Sequence, residues 1–300
     1  MFRADDYVKV SDLAEAYELC QKRSSLVVGG MVWMKMTHIT KRTIVDLSGL
    51  GLDAIEEKEG EFSIGCMCSL RQLETHEGLN RYFDGIFREC TRNIVGVQMR
   101  NCATVGGSIF ARFGFSDILT CLLALDAYVE LYHEGTIPLS EFAARPVRRD
   151  QKDILVRIII KKDGRKAAYT SQRNSRTDFP VIACCVSNLG NKWFVSVGAR
   201  PAKAKAVIIT EDDFDTLKEM AKEAAELAKE LGMNISFDSD DNDFSIVDDS
   251  GNVVVSTKAA VKNTGFRLNS LVYTGIAILA VFAASVAVAV KFGLFKKDDK

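Results

Sequence analysis

The sequence predicts an α+β protein of two domains, followed by a hydrophobic C-terminal helix. Three observations lead to this fold class. In the first half, short β-like runs alternate with amphipathic helices and glycine-containing loops. In the second half, a series of strands precedes one long helix, an order typical of α+β domains. The chain then contains a stretch of 23 residues without a charge, residues 268–290.

The first elements follow from capping signals and hydrophobic periodicity. A Ser-Asp pair precedes an amphipathic run, which predicts a helix over residues 11–22 after an N-terminal strand. Residues 26–68 alternate short β-runs with loops, and a Ser-x-x-Gln capping-box pattern starts a helix after Ser69. A further helix is predicted over residues 80–96.

The second half changes to β-structure and then to a helix. Four apolar runs predict strands, at residues 154–162, 166–172, 181–187 and 192–197. Residues 213–231 are rich in Ala, Glu and Lys and have apolar residues at helical spacing, which predicts a helix with a solvated charged face. The sequence therefore predicts a first domain over residues 1–162 and a small α+β domain over residues 163–236.

Two diglycine segments are the candidate site for an anion. Gly29-Gly30 follows the β-like run Leu26–Val28, and Gly106-Gly107 lies between the hydroxyl residues Thr104 and Ser108. Glycine leaves backbone amides unshielded and permits positive φ, so both segments could present N–H groups to a phosphate. We interpret each segment as following a β-like run, and this predicts one extended nucleotide held at two points.

Neither segment has the spacing of a common nucleotide-binding motif. There is no G-x-G-x-x-G and no P-loop lysine, so Rossmann and Walker sites are excluded. Two unrelated turns are the alternative interpretation. Asp117 begins an apolar helix and is placed to accept hydrogen bonds from a sugar or polyol hydroxyl, the alternative being a simple helix cap.

The composition is that of a folded protein and argues against several other kinds of site. The 300 residues are 47% hydrophobic and 26% charged, which suits two domains with their own cores. A net charge of −1 gives no reason to expect a nucleic-acid partner. The eight cysteines include no C-x-x-C pair and the three histidines are scattered, so no metal site or catalytic triad is predicted. Buried, reduced thiols in a cytoplasmic chain are expected instead.

Several blocks of sequence, taken in order, resemble one protein family. They are Leu26–Trp33, Ile44–Ser48, Phe62–Cys66, Met99–Ile109, Ser116-Asp117 with Leu122–Ala127, and Val197–Ala204. The pattern Arg-Asn-x-Ala-Thr-x-Gly-Gly-x-Ile with a downstream Ser-Asp is specific, because its spacing and order are hard to meet by chance. The sequence resembles the FAD-binding (medium) subunit of the molybdenum hydroxylases, the family of xanthine dehydrogenase and carbon monoxide dehydrogenase. The resemblance is weak beyond Ala206.

This resemblance implies a two-lobed FAD-binding domain, FAD as the cofactor, and an electron-transfer role in an oxidoreductase. In the family, a molybdopterin-binding large subunit hydroxylates the substrate. Electrons then pass through the 2Fe-2S clusters of a small subunit to FAD, which reduces NAD or another acceptor. The chain would be the FAD-dependent subunit without activity on the substrate by itself. It would depend on both partners, because its own sequence lacks cluster-ligand spacing.

The resemblance also implies binding residues by position. Those for the FAD phosphates are Leu26, Val27, Val28, Gly29, Gly30, Met31, Val32, Trp33, Thr104, Val105, Gly106, Gly107 and Ser108. Asp117 is expected to bind the ribityl or ribose hydroxyls, and Ile94, Leu155 and Arg173 are further matches. No catalytic side chain and no metal ligand is implied. The family commonly has a polar residue at the position of Met31. In this chain, phosphate binding at that position would therefore depend more on the backbone amides.

Two alternatives of other classes stay open. One is a stand-alone flavin reductase of the same cofactor-binding fold, such as the enolpyruvyl reductases, although the sequence lacks their Arg/Glu/Ser signature. The other is a degenerate, membrane-anchored scaffold that has lost FAD. The unusual first glycine segment and the hydrophobic stretch near the C-terminus are the reasons for this second alternative.

The C-terminal part departs from the family pattern. Residues 268–290 are long enough to cross a bilayer as a helix, which needs about 20 apolar residues. Tyr273 at one end and the lysines of the tail 291–300 suit the two interfaces. The alternative is a buried alanine-rich helix. Residues 237–267 include an acidic stretch and are expected to form a loop or linker. Without an N-terminal signal peptide, the chain is expected on the cytoplasmic side of the cell membrane, with a single C-terminal anchor.

Overall fold

The computed structural model describes residues 2–146, 152–199, 203–210, 234–238, 243–247 and 253–256. The helices in these ranges are α1 Leu13–Gln21, α2 Leu70–Thr75, α3 Glu77–Tyr82, α4 Ile86–Thr91, α5 Val97–Cys102, α6 Val105–Phe110, α7 Asp117–Ala124 and α8 Leu139–Ala144. The strands are β1 Arg3–Lys9, β2 Ser25–Val28, β3 Thr40–Asp46, β4 Ile55–Glu57, β5 Glu61–Gly65, β6 Tyr128–Leu131, β7 Gly135–Pro138, β8 Leu155–Lys161, β9 Lys166–Gln172, β10 Ile182–Leu189, β11 Lys192–Gly198, β12 Lys205–Thr210, β13 Asn234–Asp238, β14 Asp243–Val247 and β15 Val253–Ser256. The chain divides into two compact units, Met1–Ile208 and Ile209–Lys300.

Strands β1 to β12 form three sheets. The first is a three-stranded parallel sheet in the order β1-β3-β2, in which Leu26 of β2 pairs with Ile44 of β3. The second has five strands in the order β4-β5-β8-β6-β7, and the third has four in the order β12-β11-β10-β9. Strand β2 carries the first diglycine segment at its carboxyl end, so the small parallel sheet positions one half of the candidate site.

Helix α7 is the buried centre of the first unit. All eight of its residues are buried, and it packs against helices α4 and α6 and against strands β10 and β11. A Cβ built on Gly198 at the end of β11 would overlap the hydroxyl of Thr120 in this helix. The close approach of sheet and helix therefore requires glycine at this position. Asp117 begins α7, so the packing of this helix fixes the position of the predicted binding residue.

Most of the predicted elements before residue 200 are confirmed. The capping box at Ser69 is present, since its side chain accepts from the amide of Gln72 and the Gln72 side chain accepts from the amide of Ser69. The single helix predicted over residues 80–96 is wrong. The chain turns at Asp84 and Gly85, with φ angles of 51° and 81°, and α4 begins afresh at Ile86. Gly85 adopts this left-handed conformation without steric cost, which the periodicity of the apolar residues does not reveal.

The second unit contains a three-stranded antiparallel sheet in the order β13-β14-β15. Ile235 pairs with Ile246 and Phe237 with Phe244, so the segment predicted as a loop or linker includes strands. Apolar residues at alternate positions favour strands, although the acidic residues between them resemble a linker. The predicted helices over residues 213–231 and 268–290 lie outside the described residues. Within the described part of the chain, no helix has the length and apolar character that crossing a bilayer requires. The predicted domain limits stay a prediction.

Candidate functional site

The first diglycine segment packs directly against the second. A Cβ built on Gly29 would overlap the hydroxyl of Thr104, and one built on Gly30 would overlap the carbonyl oxygen of Cys102. Both positions therefore need glycine for steric reasons. The segment that follows β2 and the segment that precedes α6 form one continuous surface, as the prediction of a single nucleotide held at two points requires.

The first segment keeps its backbone amides available. Among the described residues, the amides of Gly30, Met31 and Val32 donate no hydrogen bond to another protein group. Met31 has a φ of 58°, a left-handed conformation that turns the chain, and its carbonyl accepts from the amide of Lys35 at 3.0 Å. Successive amides in such a turn form a concavity suited to an anion.

The second segment uses its amides inside the protein. The amide of Val105 donates to the Cys68 carbonyl at 2.8 Å, and that of Gly106 donates to the Cys66 carbonyl at 2.8 Å. The amide of Gly107 donates to Thr104 Oγ1 at 3.1 Å. The expected nest of free amides is therefore absent from residues 105–107, because Thr104 caps helix α6 and the chain behind it takes the other donors.

The second diglycine also does not follow a β-like run as expected. It lies in the first turn of α6, after helix α5, and Thr104 forms only an isolated bridge with Ser69. Gly106 is needed for packing, since a Cβ there would lie 2.6 Å from the Cys66 carbonyl oxygen. Gly107 is less constrained, since its Cβ would meet only the Thr104 hydroxyl, at 3.1 Å.

Asp117 and Arg173 form a buried ion pair. The distance from Arg173 Nη2 to Asp117 Oδ1 is 2.5 Å, and each side chain is 6% exposed. The Tyr169 hydroxyl donates to the same carboxylate oxygen. Burial raises the pKa of Asp117, while the charge of Arg173 and the hydrogen bonds from Tyr169 and Arg173 oppose the rise. Two predicted residues are thus brought together, in a network with a tyrosine that the sequence did not single out.

Ile94 and Leu155 complete the predicted set. Ile94 is partly buried against the core between α4 and α5. Leu155 is buried in β8 and pairs with Leu131 of β6, so its side chain belongs to the core of the five-stranded sheet. Their roles in cofactor binding stay predictions, as do those of the other predicted residues.

Arg100 is a buried residue whose structural role the sequence did not indicate. Its guanidinium makes two hydrogen bonds to Glu74, at 2.8 and 3.2 Å, and donates to the carbonyls of Ile94 and Val95 at 3.0 and 3.2 Å. Val95 has a left-handed φ of 46°. Arg100 therefore holds the turn that carries Ile94. Its place at the start of the Arg-Asn-x-Ala-Thr pattern was the only signal.

Residues 1–161 match the protein family described as the FAD binding domain in molybdopterin dehydrogenase. The chain belongs to this family. FAD is therefore the cofactor of this chain, and the chain is a subunit of an oxidoreductase family. Both statements agree with the resemblance noted in the sequence. The free amides of the first glycine segment are donors of the kind that a diphosphate needs.

Curated relatives and solved structures resemble this FAD-binding chain. It is 27% identical over 186 residues to the uncharacterized protein YgfM of Escherichia coli, covering 62% of this chain and 68% of that protein. It is 31% identical over 116 residues to the aldehyde oxidoreductase FAD-binding subunit PaoB of Escherichia coli, covering 37% and 36%. A carbon monoxide dehydrogenase chain of Hydrogenophaga pseudoflava aligns with a TM-score of 0.59 and 19% identity, covering 73% of this chain and 79% of that one. This last likeness shows the fold alone.

Proposed function

We propose that the chain is the electron-transfer subunit of a molybdenum hydroxylase, passing electrons from partner iron–sulfur clusters through FAD to NAD or another acceptor. The observation that carries this proposal is the packing of Gly29 and Gly30 against Cys102 and Thr104. Because of this packing, the segment with the free amides lies against the segment that carries the specific Arg-Asn-x-Ala-Thr-x-Gly-Gly pattern. The name of one similar protein, an aldehyde oxidoreductase FAD-binding subunit, supports the reaction class.

A bound FAD supplies the redox chemistry, because a flavin exchanges electrons singly or in pairs and so links one-electron clusters to a two-electron acceptor. The residues of the chain bind and orient it. The amides of Gly30, Met31 and Val32 would hold the diphosphate through backbone donors. Asp117, held in position by its ion pair with Arg173, would accept hydrogen bonds from the cofactor hydroxyls. No side chain of this subunit acts on the hydroxylated substrate, which we place on a partner.

The partners we propose are a molybdopterin-binding large subunit and a 2Fe-2S small subunit. Within the described residues, no group of three or more His, Cys, Asp or Glu side chains could hold a metal ion. Seven of the eight cysteines are buried and all are free thiols. Burial raises the pKa of the Cys66 thiol to about 12, so this thiol stays protonated near neutral pH. The buried thiols thus act as small apolar residues in the core.

Co-expression with the two partners tests this proposal. The purified chain should carry one FAD with oxidised-flavin absorption bands, and the assembled complex should reduce that FAD when the hydroxylase substrate is added. A colourless chain that binds no added FAD would favour the degenerate scaffold instead. Catalytic reduction of an added organic substrate by a reduced nicotinamide nucleotide, without any partner, would favour the stand-alone flavin reductase.

We also propose that residues 268–290 anchor the chain to the cytoplasmic side of the cell membrane. The support is the sequence alone, namely 23 consecutive residues without a charge. An apolar helix is stable in the hydrocarbon core of a bilayer, whereas a small domain could bury only a few of its side chains.

A further inference from the structure

Four aromatic side chains, three of them exposed and one half-buried, form a cluster beside the proposed FAD site. This aromatic cluster consists of Trp33, Phe113, Phe115 and Phe179. The rings of Phe113 and Phe115 are stacked, with centroids 5.0 Å apart and planes within 10°, and Phe179 lies 4.6 Å from Phe115. Trp33 closes the cluster, with its centroid 6.0 to 6.4 Å from the other three. These distances are those of interacting aromatic rings.

The cluster stands where three segments of the proposed site meet. Trp33 ends the first glycine segment, Phe115 comes two residues before Asp117, and Phe179 follows Asp178, whose carbonyl accepts from Arg173 at 2.5 Å. Each ring is therefore held by a segment that also carries a proposed cofactor residue. A molecule lying on the cluster would be next to the bound FAD.

The cluster is exposed although its rings are large and apolar. The exposed fraction is 52% for Trp33, 40% for Phe113 and 59% for Phe179. Large apolar surfaces are normally buried, and a contiguous exposed group of them marks a binding surface. The four side chains offer flat faces without an ionic group. A flat, uncharged ring matches this surface better than the charged phosphates of a nicotinamide dinucleotide do.

We propose that the aromatic cluster binds a quinone as the electron acceptor. This inference rests on the proposed electron-transfer function and names the acceptor of the same site. The quinone takes two electrons and two protons from the reduced cofactor and leaves as the quinol, and the cofactor returns to its oxidised form. The proposed membrane anchor provides a second reason, because lipid-soluble quinones are dissolved in the phase that residues 268–290 would occupy.

Anaerobic stopped-flow reoxidation of the full-length FAD-bound chain tests the acceptor. The flavin is reduced with dithionite and mixed with increasing concentrations of menadione, a water-soluble quinone. The expected result is a rate that saturates with menadione. Phe179→Ala should raise the half-saturating concentration about ten-fold, the effect of losing one aromatic contact. Reoxidation by ferricyanide, which needs no apolar surface, should stay unchanged.

Tyr132→Ala is the control, because Tyr132 is also an exposed aromatic residue, 40% against 59% for Phe179, and its ring packs on Tyr17 instead of on a ring of the cluster. This variant should behave as the wild type. A rate linear in menadione and equal in all variants would overturn the proposal, and so would saturable reoxidation by NAD⁺ with none by menadione. If Phe179→Ala alters the FAD content or the flavin spectrum but leaves the menadione dependence unchanged, the rings bind the flavin and the quinone assignment is wrong.

A direct binding measurement separates this inference from the proposed function. Oxidised menadione should quench the fluorescence of Trp33 saturably in a Trp193→Phe background, whether or not FAD is bound. Phe113→Ala should weaken this quenching. A chain that lacks FAD but binds menadione would refute the electron-transfer function alone. A chain that contains FAD but shows no saturable quenching would refute the quinone site alone.

Discussion

Gly30 lies against the backbone of Cys102 so closely that a Cβ on Gly30 would overlap the Cys102 carbonyl oxygen. The residues are far apart in sequence, one after strand β2 and the other at the end of helix α5. Their contact joins the two glycine segments into one surface. Backbone atoms cannot move aside as a flexible side chain can, so this relationship should be sensitive to a single methyl group.

Gly30→Ala should therefore both destabilise the fold and remove FAD. The added methyl forces the two segments apart, and we expect the free energy of unfolding to fall by at least about 2 kcal/mol. Thermal unfolding and the flavin-to-protein absorbance ratio measure the two effects. Gly60→Ala is the control, because a Cβ there has no atom within 4 Å, and it should change neither quantity.

Gly107→Val should weaken FAD binding while the chain still folds. A Cβ at this position would lie 3.1 Å from the Thr104 hydroxyl, which in turn touches Gly29. The branched side chain should push Thr104 toward the first segment, where the free amides are. Gly106→Ala should instead lower stability, since its Cβ would lie 2.6 Å from the Cys66 carbonyl oxygen. Stoichiometric FAD of unchanged affinity in Gly107→Val would contradict the assignment of this segment.

Asp117→Ala should lower both stability and FAD affinity. Removal of the carboxylate leaves Arg173 buried without its partner, which costs about 3–5 kcal/mol. The variant also loses a charge-assisted hydrogen bond to the cofactor, worth about 1.5–3 kcal/mol, so its affinity for FAD should fall roughly ten- to a hundred-fold. Chemical denaturation and FAD titration measure the two effects separately. In the double variant Asp117→Ala, Arg173→Met, stability should partly recover but affinity should not. Unchanged FAD affinity in the single variant would leave Asp117 with a structural role only.

The Glu74–Arg100 pair should make stability depend on acid pH. Burial alone would raise the pKa of Glu74, but hydrogen bonds from Arg100 and Arg71 outweigh it and hold the pKa below its usual 4.5. Since the unfolded chain binds the proton more readily, the stabilisation is present above pH 4.5 and is lost as the pH falls through the lowered pKa. The Glu74→Gln variant should have a lower free energy of unfolding than the wild type at pH 7, and this difference should disappear at acid pH. Chemical denaturation at several pH values measures both effects. Glu77→Gln, in an exposed pair with Arg81, should follow the wild type.

Truncation after Lys262 should release a soluble protein that keeps its FAD. If residues 268–290 span the bilayer, the full-length chain should fractionate with membranes and resist extraction by high salt or alkaline carbonate. The glycine segments lie far upstream in the chain, so the flavin absorption should survive truncation. A soluble full-length chain, together with a truncation that unfolds, would show that the segment is a core helix.

The sequence alone determined the family, the cofactor and the order of most elements up to β11. Local signals sufficed where the decisive interactions are local, as in the capping box at Ser69. The strands β8 to β11 were predicted from apolar runs, because burial in a sheet leaves a continuous hydrophobic signature. The turn at Gly85 was missed, since the apolar residues on either side of it continue a helical pattern.

Which amides are free and which charges are paired became clear from the three-dimensional packing. The two glycine segments look alike in sequence, yet the amide of Gly106 is taken by the Cys66 carbonyl while that of Gly30 is not taken by any described protein group. Asp117, in helix α7, was expected to face a cofactor hydroxyl, but it also contacts Arg173, which lies just after the end of strand β9. Hydrogen bonds and ion pairs between distant segments depend on how the elements pack in three dimensions, and no local pattern of residues encodes that packing.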